Sequence, residues 1–132
     1  MSTCARAGRP ARATAIVAIA AALVAMTGCA STVGHYSFLD QSYPERPSNA
    51  PIDLFDKGAP SRPYVRVARI DAHIEKTGFA TSSLADVLPE LERQARRAGC
   101  DAIVEINERR SEILETRVYH VTAIGVRYLD RP

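Results

Sequence analysis

Residues 83–100 read SLADVLPELERQARRAGC and run straight into DAIVEINER at residues 101–109. The reading of this junction decides the fold. Leu84, Val87, Leu88, Leu91, Ala95 and Ala98 recur at helical spacing, so they form one apolar stripe. Ser83 with Asp86 three residues on is an acidic variant of the capping box. Arg96 and Arg97 occupy the last turn, where cations suit the helix dipole, and Gly99 suits the left-handed position that ends a helix. Pro89 leaves two starts open. With Ser83 as cap, Pro89 lies past the free amides of the first turn and bends the helix; with Asp86 as cap, it falls within that turn and costs little. Glu92 and Arg96 form an i, i+4 pair placed on the exposed helix face.

After Gly99 the period changes to two, and Ala102, Val104 and Ile106 are expected to face the core from a strand. RRSE (109–112) reads as a short charged connection to a longer strand, ILETRVYHVTAIGVRYL (113–129), whose apolar end carries Val118, Ile124, Val126 and Tyr128. Upstream, YVRVARIDAHIE (64–75) reads as a strand. Tyr64, Ala68, Ile70, Ala72 and Ile74 share one face with Arg66 as an exception, and Arg69, Asp71, His73 and Glu75 share the other after Val65 and Val67. KTGFATSS (76–83) is a loop, PIDLF (51–55) is a possible short edge strand, and DKGAPSRP (56–63) supplies turn residues. The order β-α-β-β, with one helix on a small, mainly antiparallel sheet, predicts an α+β domain over residues 51–132.

The stretches RPYVRVARIDA, LPELERQARRAGCDAIVEI and VTAIGVRYL together resemble the small β-α-β-β domain of bacterial envelope lipoproteins and YbjQ-like (heavy-metal-binding-type) proteins. The shared signature is a helix ending Ala-x-x-x-Gly-Ala-Asp-Ala-Val/Ile, matched by Ala95, Gly99, Cys100, Asp101, Ala102 and Ile103 over a similarity running from Ile52 to Tyr128. Cys100 stands where alanine is common in that pattern. The resemblance implies a fold and an envelope setting; it implies no catalytic residues and no demonstrated metal activity.

The N-terminal part carries its own signal. Residues 1–12 hold Arg6, Arg9 and Arg12 with no acid, and ATAIVAIAAALVA (13–25) is apolar apart from Thr14. Thirteen helical residues span about 20 Å, short of the ~30 Å hydrocarbon core, so a signal peptide over residues 1–28 is the better reading than a membrane span. The run ends Met26-Thr27-Gly28-Cys29, which resembles a bacterial lipobox, though with Met where Leu is usual. That resemblance implies cleavage between Gly28 and Cys29, a diacylglyceride on the Cys29 thiol, and N-acylation of the new terminus, commonly with palmitate. Ala30 in place of Asp resembles the pattern of lipoproteins sent to the outer membrane. Residues 29–50, with Pro44 and Pro47 and no periodic pattern, read as a lipidated terminus and flexible tether.

Removing residues 1–28 changes the electrostatics. Three of the 17 basic residues go with them and none of the 15 acids, leaving a formal −1 where the full 132-residue chain carries +2. A basic nucleic-acid surface is therefore not indicated. Cys4 leaves with the signal and Cys29 is lipidated, so Cys100 has no partner within the chain and no disulfide framework is expected.

Few residues suggest chemistry. Cys100 beside Asp101, with His73 and His120 elsewhere, offers thiol and base, but no glycine-bearing nucleophile motif surrounds it. It also follows a helix C-terminus, which disfavours thiolate, so a buried apolar role is expected. His35, His73 and His120 have no metal-ligand spacing, although Asp71, His73 and Glu75 fall on one strand face that is either an oxygen-rich patch or simply solvated. His120 reads as an ordinary strand histidine. No phosphate-binding glycine loop and no plausible carboxylate pair appear. Together these features predict no catalytic residues, no metal and no cofactor. The expected molecule is a lipid-anchored, periplasm-facing lipoprotein of the bacterial envelope, at the outer membrane. Its expected role is non-enzymatic interaction or binding, in envelope assembly, maintenance or stress sensing, with the membrane held through Cys29 and an envelope protein as partner. The alternative is a small-ligand or metal-binding periplasmic domain.

Overall fold

The computed structural model describes residues 30–77 and 81–130. The segment expected to be a signal peptide, residues 1–28, and the expected lipidation site Cys29 lie outside the described residues. Among the described residues, five strands and one helix follow in the order β1 (Ser31–Phe38), β2 (Asp53–Leu54), β3 (Tyr64–Thr77), α1 (Leu84–Arg97), β4 (Ala102–Ile113) and β5 (Thr116–Tyr128). They form one sheet ordered β1-β3-β5-β4-β2. Neighbours are antiparallel except β2 with β4, which pair in parallel through Asp53–Ala102 and Leu54–Ile103. β3 and β4 run parallel with β5 between them, and α1 joins them as a split βαβ crossover. The fold is α+β, with one helix on one sheet face.

The helix starts where its cap dictates. Ser83 is the N-cap and its backbone N–H donates to Asp86 Oδ2 at 2.8 Å. Pro89 therefore lies inside the helix rather than in its first turn. At the other end Gly99 takes φ +78°, and the N–H groups of Gly99 and Cys100 donate to the carbonyls of Arg96 and Ala95 at 3.1 and 2.9 Å. This is the Schellman closure that a glycine after the last turn favours. Val87, Leu91 and Ala95 pack from the helix onto Ile70, Ala72, Ile103, Val121 and Ala123 of the sheet.

Two bulges re-aim the strands. In β3, Arg66 pairs with Val126 and Ala68 with Gly125, so Val67 is the extra residue. Both Val67 and Ala68 then point into the helix-side core, while Tyr64 joins a second apolar cluster on the opposite face. This shift explains why Arg66 breaks the apolar alternation, and it corrects the expectation that Tyr64 shares a face with Ile70. In β4 the register slips between Val104 and Asn107, with Glu105 at φ +52°. Ala102 and Val104 therefore join the second cluster, whereas Ile106 packs against the helix-side core with Ile103. The expected common face of Ala102, Val104 and Ile106 does not form.

Two further expectations are overturned. RRSE belongs to β4, and the chain reverses at Leu114–Glu115, with Ile113 paired to Thr116. Backbone pairing continued past the charged residues because nothing in them interrupts a ladder. Residues 31–50, expected as a tether, belong to the domain. β1 pairs with β3 from Ser31–Glu75 to Phe38–Ala68. Gly34 permits a close approach, since a Cβ there would collide with the Glu90 side chain of α1, and Gln94 Nε2 donates to the Gly34 carbonyl at 3.1 Å. Beyond β1 the chain straps across the helix C-terminus. Arg46 reaches Asp101 Oδ1 at 3.1 Å and the Cys100 carbonyl at 3.1 Å, and Arg96 Nε donates to the Ala50 carbonyl at 2.7 Å. The Glu92–Arg96 pair is thus partly buried under the strap rather than fully exposed.

Candidate functional site

The sheet face away from the helix is covered unevenly. Near β2, residues 55–64 lie over Ala102, Val104, Val126 and Tyr128 through Phe55 and Tyr64. Arg62 stacks 4.0 Å from the Tyr128 ring and forks onto Asp130 at 2.7 and 3.0 Å. The Tyr128 hydroxyl donates to Asp53 at 2.6 Å; burial first, then this carboxylate, pushes its pKa up to about 12.

Toward the β1 side the same face is open, and strand register sets its rows. Paired residues of antiparallel strands point the same way, so one row runs Val33–His73–His120–Arg109 from β1 to β4. The adjacent row runs His35–Asp71–Thr122–Asn107. All three histidines of the chain therefore share one face. The His73 and His120 rings stack with centroids 5.4 Å apart. His35 Nε2 lies 3.8 Å and Arg69 Nε 3.5 Å from Asp71, and His73 Nε2 lies 3.9 Å from Glu75. Arg69, Asp71, Asn107, Arg109, His120 and Thr122 line an open concavity of about 910 Å³ on this face. Asp71 is paired with Arg69, and Arg109 adds a second guanidinium, so the charge of the lining is mainly cationic.

Linear spacing concealed this convergence. His35, His73 and His120 lie on three different strands, and only the cross-strand register brings them together. Among the described residues, no group of three or more His, Cys, Asp or Glu side chains is arranged to hold a metal ion. The Asp71–His73–Glu75 face is real as a strand face, with Arg69 Nε 3.5 Å from Asp71.

Cys100 is placed for packing. Its side chain is fully buried, beneath Gly125, where a Cβ would collide with the sulfur. Burial, then the Asp101 charge, pushes the thiol up to about 12, so no thiolate nucleophile forms at neutral pH. Asp101 is equally structural. One carboxylate oxygen meets Arg46, and the other accepts the Tyr128 N–H at 2.9 Å.

The outer side of β1 completes the picture. β1 is a terminal strand of the sheet, and its eight residues, STVGHYSF, contain no Lys, Arg, Asp, Glu or Pro. Edge strands are commonly guarded by those residues. Val33 is half-exposed on the open face beside this edge.

No protein-family model matches the chain, and no curated protein matches it. Among solved structures, the chain is similar to the Francisella virulence factor FvfA, with a TM-score of 0.47 and 14% identity over 70% of this chain and 97% of that one.

Proposed function

We propose that this protein is a lipid-anchored lipoprotein of the bacterial envelope that acts by non-enzymatic binding, recruiting an envelope protein through strand addition at β1. The observation that carries the binding mode is the unguarded β1 edge, eight residues without charge or proline. An incoming strand gains a ladder of main-chain hydrogen bonds there. The open face next to it supplies side-chain contacts from Val33, His35 and Ser37. The location rests on the Met26-Thr27-Gly28-Cys29 sequence, and the resemblance to the envelope β-α-β-β domains, YbjQ-like proteins among them, agrees with it. The burial of Cys100 removes the thiol from the candidate nucleophiles among the described residues, which supports binding over thiol catalysis.

The second reading, a small-ligand domain, is favoured by the concavity around Arg69, Asn107, Arg109 and His120, whose cationic character suits an anion. Photo-crosslinking from position 33 in intact cells separates the two. The expected result is one stoichiometric protein adduct, lost at least ten-fold when Ser37→Lys places a charge on the edge, with the melting temperature unchanged. An adduct indifferent to Ser37→Lys removes strand addition; no protein adduct, with an anion co-purifying, supports the second reading.

A further inference from the structure

The β4–β5 turn carries an exposed apolar pair that folding does not explain. Leu114 is 100% exposed and Ile113 65% exposed. Leu114 also takes φ +56°, in a two-residue turn where Gly, Asn or Asp fits the left-handed backbone and a bulky side chain is disfavoured. A leucine here strains the turn and buries nothing against the described residues. Its apolar surface stays open to something that does not belong to the described fold.

The sheet register indicates where that tip points. Ser31, the first residue of β1, pairs with Glu75; Glu75 pairs with Val118, and Val118 with Ser111. This row marks one end of the sheet, and the β4–β5 turn projects past it. At ~3.3 Å per residue, Leu114 lies about 10 Å beyond the row. In sequence, Cys29 stands two residues before Ser31. Three strand spacings of ~4.8 Å separate β1 from β4, or about 14 Å laterally. Ser31, the β1 residue nearest in sequence to Cys29, and the apolar tip therefore belong to the same end of the sheet. The other exposed leucines at strand termini, Leu39 after β1, Leu54 in β2 and Leu129 after β5, lie toward the opposite end.

We propose that the Ile113–Leu114 tip inserts into the surface of the bilayer that holds the Cys29 lipid, so that the domain stands directly on the membrane with its strands steep to it. The proposal rests on the reading of Cys29 as the anchor. With only Ala30 between Cys29 and β1, there is little slack to lift the domain away. The tip then gives a second, apolar foothold beside the acyl chains, as amphipathic elements do at the headgroup boundary. The charges close by are largely paired, Arg117 with Glu112 at 3.2 Å and Lys76 with Asp86 at 3.5 Å, so the contact is apolar rather than a basic patch seeking anionic lipid. It also fixes an orientation: the β1 edge and the histidine face project sideways, parallel to the membrane and open to a neighbour.

The chain contains no tryptophan, which makes the test direct. Leu114→Trp and, separately, Leu129→Trp are introduced into the full chain, extracted from membranes, and reconstituted into phosphatidylcholine vesicles carrying brominated acyl chains. Intact mass reports the lipid on Cys29 in each sample. The expected result is blue-shifted emission from the indole at position 114, quenched at least three-fold more strongly than the indole at position 129. Lipidated protein in which the position-114 indole is quenched no more than its position-129 counterpart overturns the tip contact and leaves the anchor standing. An indole at position 114 that is shielded from water but not quenched by the brominated lipid reports a protein contact and also overturns it. An unlipidated chain with that indole in water overturns both readings, whereas quenching without the lipid supports the tip contact and removes the anchor.

Discussion

Cys100 shows how far a single residue can be read before its neighbours are known. Its helix-terminal position already argues against a nucleophile; burial beneath Gly125 settles the matter. The native protein should leave Cys100 unreacted with a thiol reagent, and the thiol should appear only as denaturant unfolds the chain. Rapid native labelling would contradict the burial. The raised thiol pKa also has a defined sign. Between the ordinary 9.0 and the folded value of about 12, the unfolded chain has lost its proton while the folded chain keeps it. Stability therefore falls across that window, by about 1.4 kcal/mol per pH unit. Cys100→Ala should flatten this alkaline decline in urea titrations, and an unchanged slope would count against it. Gly125→Ala should cost about 1–3 kcal/mol by overpacking, because the new methyl meets Cys100 Sγ and the Ile70 Cδ1 3.2 Å away. Combining it with Cys100→Ala should recover part of that loss; strict additivity would mean the sulfur is not the obstacle.

At the scale of elements, the helix was the most legible because its signals are local. The apolar stripe, Ser83–Asp86 and Gly99 each act within a turn of themselves. The ambiguity at Pro89 arose because two cap positions satisfy the same pattern; the Ser83 N–H bond to Asp86 is what selects one. That bond, the Ser83 side chain and nearby Lys76 hold the Asp86 carboxyl below its ordinary 3.8. The unfolded chain then binds the proton first on acidification. The stabilisation is complete above 3.8 and is lost as pH falls through the lower folded value. The stability difference between the wild type and Asp86→Ala should accordingly shrink on acidification through that window and persist at neutral pH. A difference independent of pH would show that the carboxylate does not supply the cap. Strands were legible only in part. A bulge inverts every residue beyond it, so Tyr64 and Ile106 landed on the faces opposite to those their alternation suggested.

For the whole molecule, the strap over the helix C-terminus is the feature that most changes the reading of the sequence. Arg46 is nearly buried and faces a more deeply buried Asp101. Removing one partner of such a pair leaves the other charge uncompensated, so Arg46→Ala should lower stability by about 3 kcal/mol. It should also open residues 40–60 to limited proteolysis; a variant as stable and as resistant as the wild type would show that the strap is held by other contacts. β1, just before the strap, carries no local strand signal. STVGHYSF has little apolar content and a glycine within it, and its pairing depends on β3, some forty residues away. The histidine face was hidden for the same reason, its members contributed by three strands.

The helix, its C-terminal end at Gly99, the α+β class and the short edge strand at Asp53–Leu54 were readable from residue order alone, because they depend on propensity, capping and periodicity over a few residues. Which residues share a face, where the chain reverses between β4 and β5, and the membership of residues 31–50 in the domain were settled by tertiary packing. Those outcomes follow from register and from long-range association of individually weak segments, which no local pattern encodes.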